Sequence, residues 1–66
     1  MEKIEEFKSF IEFDGDIQES DTLEMLDNYD SLMMFAAIQW FENNKVEVNE
    51  EILAKEPILN LIKKVN

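Results

Sequence analysis

The stretch Asp27-Asn28-Tyr29-Asp30-Ser31-Leu32-Met33-Met34-Phe35-Ala36-Ala37-Ile38-Gln39-Trp40-Phe41, residues 27 to 41, decides how the rest of the chain is read. Polar, turn-forming residues stop at Asp30, and an apolar run without Gly or Pro begins directly after Ser31. That pattern predicts a helix over residues 31–43, ended by Asn43-Asn44-Lys45. A serine at that boundary either caps the helix or sits just inside it with its hydroxyl exposed. A capping box from Ser31 would need Glu or Gln at position 34, where the chain has Met34. Serine is common at helix starts, so the local pattern alone favours Ser31 as the cap; by position the alternative is Asp30, and capping by Asp30 would leave the Ser31 hydroxyl free.

Phe35, Ile38 and Phe41, with Leu32 one turn earlier, are expected to form the buried stripe of this helix. Met33, Met34, Ala36, Ala37 and Trp40 are apolar as well, and Glu42 is the only charge between residues 31 and 44. A helix apolar nearly all round is either buried on every side or leaves an apolar face exposed. A chain of 66 residues buries only about 60% of its unfolded surface, so a partner-facing apolar strip is expected.

Working outward, Ile4, Phe7 and Ile11, widened by Phe10, recur at helical spacing and predict a first amphipathic helix over residues 2–13. Asp14-Gly15-Asp16 should end it, with Gly15 supplying the left-handed residue. Residues 14–30 form a long connection, a kind of segment that is usually functional or disordered. Ile17, Leu23, Met25 and Leu26 are expected to pin it to the core, with one helical turn after Asp21-Thr22. On the other side, Val46 and Val48 alternate over too short a run for a sheet strand and should anchor a loop. Asn49 should cap a brief third helix over residues 50–54, and Pro57 should stand at the first position of a fourth. Ile58, Leu61, Ile62 and Val65 would be the fourth helix's apolar stripe, with Lys63 and Lys64 in its last turn. The expectation is an all-α single domain over residues 1–66, with three longer helices and one short one, and a core lined by Phe7, Phe35, Phe41 and Ile62. One Gly and one Pro provide little turn chemistry for a sheet of many strands.

Sixteen acids against six lysines give a net charge of −10. Eleven of the acids and two of the lysines precede Ser31, so that half carries −9 and the remainder −1. Nucleic acid and anionic membranes are poor partners for such a chain, and a basic protein surface is a good one. There is no cysteine and no histidine, which excludes disulfides, thiolate zinc sites, a cysteine nucleophile and a histidine general base. No secretory n-region and no membrane-length apolar span stands out, so a cytoplasmic location without membrane insertion is expected. EF-hand registers starting at Asp14 or Asp16 put Glu19 or Asp21 where glycine is needed, and Met25 or Asp27 where glutamate is needed. The acids therefore read as a solvated face. Ser31 beside Asp30 lacks a base of suitable pKa, and a chain this small has little room for a desolvating cleft, so autonomous catalysis is not expected.

Asp30-Ser31-Leu32 resembles the Asp-Ser-Leu motif of acyl carrier proteins and the related peptidyl carrier domains. The context carries the resemblance along nearly the whole chain: an amphipathic first helix, a long loop with Asp21-Thr22-Leu23 and Leu26 leading to the motif, an apolar second helix, Val46-Glu47-Val48, a short third helix and a final Ile58/Leu61/Ile62 helix. The resemblance implies a four-helix bundle with 4′-phosphopantetheine attached through Ser31, installed from coenzyme A by a Mg²⁺-dependent phosphopantetheinyl transferase. It implies a non-catalytic monomer that holds an acyl or aminoacyl group as a thioester, and presents it to loading and acyl-transferring enzymes.

Two departures specialise that expectation. Asn28 and Tyr29 occupy the region where the family commonly has glycine, and asparagine tolerates left-handed backbone. Where carriers of primary fatty acid synthesis have acids along the second helix, this chain has Met33 and Ala36, keeping Glu42 further on. The resemblance therefore implies a specialised carrier whose partner-recognition residues are Asp30, Leu32, Met33, Ala36 and Glu42. Met33, Met34, Ala37 and Trp40 are each expected either at a partner or in the core. An unmodified acidic helical interaction module is the alternative.

Overall fold

A computed structural model of the chain describes residues 3–65. Its elements in order are α1 (Lys3–Phe10), a 3-10 turn (Leu23–Met25), α2 (Ser31–Asn43), α3 (Glu50–Lys55) and α4 (Ile58–Ile62). No strand occurs among the described residues. The expected all-helical class and the bounds of α2 hold, as does the single helical turn after Asp21-Thr22. The length ranking does not: α3 has 6 residues and α4 has 5, so two helices are short rather than one. Pro57 is the cap of α4 with extended ψ of 141° rather than its first helical residue. The α4 helix ends before Lys63 and Lys64, so neither lysine lies in its last turn.

The α2 helix is central, and an aromatic trio joins it to α1. Phe7 packs against Trp40 with ring centroids 5.1 Å apart and against Phe41 at 5.3 Å, while Trp40 meets Phe41 edge-on at 5.1 Å. Each such pair contributes about 0.5–1.5 kcal/mol beyond the apolar area it buries. The trio sets the rotation of α2. Met33, Ala37, Trp40 and Phe41 turn inward, whereas Leu32 is 76% exposed and Phe35 62% exposed. The expected stripe of Leu32, Phe35, Ile38 and Phe41 is therefore wrong in phase by about one residue. Only Phe41 of the four is fully buried, and Ile38 is half-buried. Phe35 is correspondingly absent from the core, and Phe10 lies 44% exposed beside the stripe it was expected to widen.

The expected ends of α1 also shift. Its expected start at Glu2 lies outside the described residues, and its C-terminus comes at Phe10. There the Phe13 N–H donates to the Lys8 carbonyl at 2.9 Å and the Glu12 N–H to the Ser9 carbonyl at 3.2 Å. This is the Schellman pattern, and its left-handed residue is Glu12, with φ of 60°. Gly15 does not have positive φ. Its missing side chain is used differently, because a Cβ there would lie 2.8 Å from the Phe13 ring. The α2 helix ends in the same way, with Lys45 at φ of 67°. The Lys45 N–H donates to the Glu42 carbonyl at 3.0 Å, and the Val46 N–H to the Phe41 carbonyl at 2.9 Å. Buried Val46 and Phe41 supply the apolar contact that accompanies this ending.

The long connection is held down, as expected, by buried Leu23 and Leu26 and half-buried Ile17; Met25 is instead 61% exposed. The Ile58 N–H at the start of α4 donates to the Asp21 carbonyl at 2.8 Å, which fixes this loop to the far end of the chain. Val46 and Val48 are buried anchors of the α2–α3 loop, and Asn49 caps α3 by accepting the Ile52 N–H at 2.9 Å. The radius of gyration, 10.4 Å, is close to the roughly 11 Å expected of a compact chain of this length.

Candidate functional site

The junction between the long loop and α2 is built one residue at a time. Asn28 takes φ of 63°, a left-handed turn that asparagine accepts more readily than most residues. Tyr29 then packs half-buried against the core. Asp30 is extended, with φ −152° and ψ −178°, and its Oδ1 accepts the Met33 N–H at 2.9 Å. Its carbonyl accepts the Met34 N–H at 3.2 Å, the first bond of the helix. The carboxylate is thus the cap, and Ser31 is the first helical residue, exposed to solvent. The Ser31 and Leu32 N–H groups belong to the orphan donors of a helix start and have no acceptor among the described residues.

Of the residues singled out from the sequence, Asp30, Ser31 and Leu32 come together here, all exposed, with Ala36 half-buried one turn behind. Met33 is buried, so its backbone is part of the site while its side chain belongs to the core. Ala37 and Trp40 are likewise core residues, and Met34 is half-buried. Glu42 is exposed at the opposite end of α2, roughly 16 Å from Ser31 at 1.5 Å per residue, and does not join the site.

Phe35 is the neighbour that the hydrophobic spacing misassigned. Positions 32, 35, 39 and 42 share a helix face, and Gln39 and Glu42 are polar. The polarity at the C-terminal half of that face was the available signal that Leu32 and Phe35 are on the solvent side.

A groove of about 380 Å³ runs between the end of α1 and the first turns of α2. Phe10, Leu32 and Ala36 form its apolar wall, and Glu12, Asn28 and Asp30 its polar rim. Asp30 and Leu32, the chain neighbours of Ser31, both face it. Glu12 and Asn28 are two of the three described residues in left-handed backbone; the third, Lys45, lies at the other end of α2.

The acids from Glu12 to Asp30 remain exposed, apart from half-buried Asp21. Burial, followed by the carboxylates of Glu24, Glu50 and Asp30, raises the Tyr29 pKa above its ordinary value, so its hydroxyl stays protonated near neutral pH. Among the described residues no group of three or more acids is arranged to hold a metal ion. None of the described helices is long and apolar enough to cross a membrane. The arrangement offers a primary hydroxyl for esterification, helix-start N–H donors beside it, and an acidic, partly apolar surface around it. Comparison with protein-family profiles, with curated proteins and with solved structures finds no match for this chain.

Proposed function

We propose that this chain is an acyl- or peptidyl-carrier-like protein of the cytoplasm, with 4′-phosphopantetheine esterified to Ser31. The observation that carries the proposal is the division of labour at the start of α2: Asp30 caps the helix at 2.9 Å, leaving Ser31 exposed as the first helical residue within Asp30-Ser31-Leu32. The order of helices and the long pinned loop support the carrier-like four-helix arrangement that the motif implies.

The residues present fit the group. A phosphodiester on Ser31 would meet the Ser31 and Leu32 N–H groups at the positive end of the α2 dipole, an arrangement that favours anions. When attached, the arm supplies a thiol, and hence a thioester, to a chain that has no cysteine. Asp30 holds the first turn rigid, so the attachment point is fixed relative to the surface that partners read. Leu32 and Phe35, exposed behind it, supply apolar contact, and the exposed acids of residues 12–30 attract a basic docking patch and speed encounter. In this proposal Leu32, Phe35 and Ala36 replace Met33 as the apolar docking residues. The chain itself transforms nothing; phosphopantetheinyl transferase and acyl- or aminoacyl-handling enzymes are its partners, and it acts as a monomer.

Incubation with coenzyme A, Mg²⁺ and a broad-specificity phosphopantetheinyl transferase tests this by intact mass. The expected result is one arm's mass on the native chain and none on Ser31→Ala. The exposure of Leu32 and Phe35 also favours the alternative of an unmodified acidic interaction module. That reading predicts no mass gain, with partner binding lost on Leu32→Ser or Phe35→Ser and kept on Ser31→Ala.

A further inference from the structure

We infer that the α1–α2 groove is the resting place of the pantetheine portion of the arm, an inference that builds on the carrier reading of Ser31. The groove is a mixed surface. Phe10, Leu32 and Ala36 suit a branched aliphatic segment, while Asn28, Asp30 and Glu12 offer partners to amide and hydroxyl groups. Its two rim carboxylates disfavour anionic occupants such as free fatty acids or nucleotides. A neutral ligand that combines a gem-dimethyl segment and a hydroxyl with amides suits this mixture of apolar and polar residues, and the pantetheine portion has that composition.

Size and attachment narrow the assignment. At about 380 Å³ the groove sits at the lower end of the roughly 300–1,000 Å³ spanned by small-molecule sites. Asp30 and Leu32, on either side of the attachment residue, both line the groove, whereas Ser31 itself does not, so a tethered arm reaches it by passing over the first turn of α2. Tethering gives an effective concentration in the millimolar range, so contacts too weak to capture free pantetheine suffice to hold the attached arm.

The test compares amide NMR spectra of isotopically labelled apo and transferase-modified protein, with intact mass recorded on the same samples. The expected result is a mass gain with resonance shifts at Glu12, Asn28 and Ala36 as well as at Ser31, and contacts from the arm's methyl groups to the Phe10 ring. In Phe10→Asp, which puts a further carboxylate at an exposed position of the groove, the mass gain persists while the Glu12 and Asn28 shifts disappear. Phe10→Ser, at an exposed position, provides a second groove variant and should reduce the same shifts. A mass gain with shifts confined to residues adjoining Ser31 overturns the groove assignment and leaves the carrier reading standing. Absence of any mass gain overturns the carrier reading, and the groove assignment falls with it.

Discussion

Replacing Asp30 with alanine separates the cap of α2 from the hydroxyl beside it. The substitution removes the 2.9 Å bond to the Met33 N–H. Loss of such a cap costs about 0.5–2 kcal/mol. It also removes a carboxylate from the positive end of the helix, a further ~0.3–1 kcal/mol for an exposed group. With the two contributions partly overlapping, we expect a loss of about 1.5 kcal/mol for Asp30→Ala. Since 1 kcal/mol shifts the Tm of a domain this size by about 4–8 °C, the midpoint should fall by roughly 6–12 °C. Asp30→Asn keeps an acceptor at the cap and loses only the charge, so it should recover more than half of the difference. Ser31→Ala should change stability by no more than about 0.5 kcal/mol, as expected of an exposed residue outside any cap. Thermal denaturation followed by circular dichroism measures all three. If Ser31→Ala costs as much as Asp30→Ala, the serine is the cap and its hydroxyl is not free, and the reasoning about the site is refuted.

Glu12→Gly and Lys45→Gly should each stabilise the protein by up to about 1 kcal/mol, because left-handed backbone costs a non-glycine residue roughly 1–2 kcal/mol and glycine's extra unfolded entropy returns part of that gain; a urea midpoint that falls contradicts the assigned helix endings. Phe7→Ala or Trp40→Ala removes the aromatic trio and should cost about 3–5 kcal/mol, enough to unfold much of so small a domain, whereas Phe35→Ala should stay within about 0.5 kcal/mol. Equal losses at positions 35 and 40 would mean that α2 is rotated the other way. Tyr29 is the only tyrosine, so absorbance titration reports it alone, with a midpoint above 10 in the folded protein. A pKa raised on folding means that the native state holds the proton more tightly. Its stabilising contribution is therefore complete below the unfolded value near 10 and is lost as pH rises through the folded one; a midpoint below 10 contradicts the burial and the carboxylate neighbours assigned to it.

Local chemistry was legible wherever a short-range pattern had one solution. Asp30 and Asn49 stand directly before helical runs and cap them, and Asp21-Thr22 leads into its turn as read. The valines at 46 and 48 anchor a loop because no third alternating position extends them into a strand. The rotation of α2 was harder, because apolar residues occupy nearly its whole circumference. Its phase is set by Phe7, thirty-three residues away from Trp40, and hydrophobic periodicity within the helix does not contain that contact. The same long-range packing moved Phe35 outward and Met33 inward, exchanging an expected core residue for an expected docking residue. The end of α1 was misread for a local reason. Glycine is the usual left-handed terminator, yet Glu12 takes that role because Phe13 must reach back to Lys8, and Gly15 accommodates the Phe13 ring instead. The placement of Asp30, Ser31 and Leu32 at the start of α2 was thus readable from sequence, while the groove beside them depends on how α1 and α2 meet.

The central proposal is that Ser31 is an attachment point rather than a structural serine. Intact mass spectrometry of the native chain and of Ser31→Ala, after incubation with coenzyme A, Mg²⁺ and a broad-specificity phosphopantetheinyl transferase, tests it most directly. A single phosphopantetheine added to the native chain and none to the variant is the predicted result; an unchanged native mass, or a gain that survives Ser31→Ala, contradicts it.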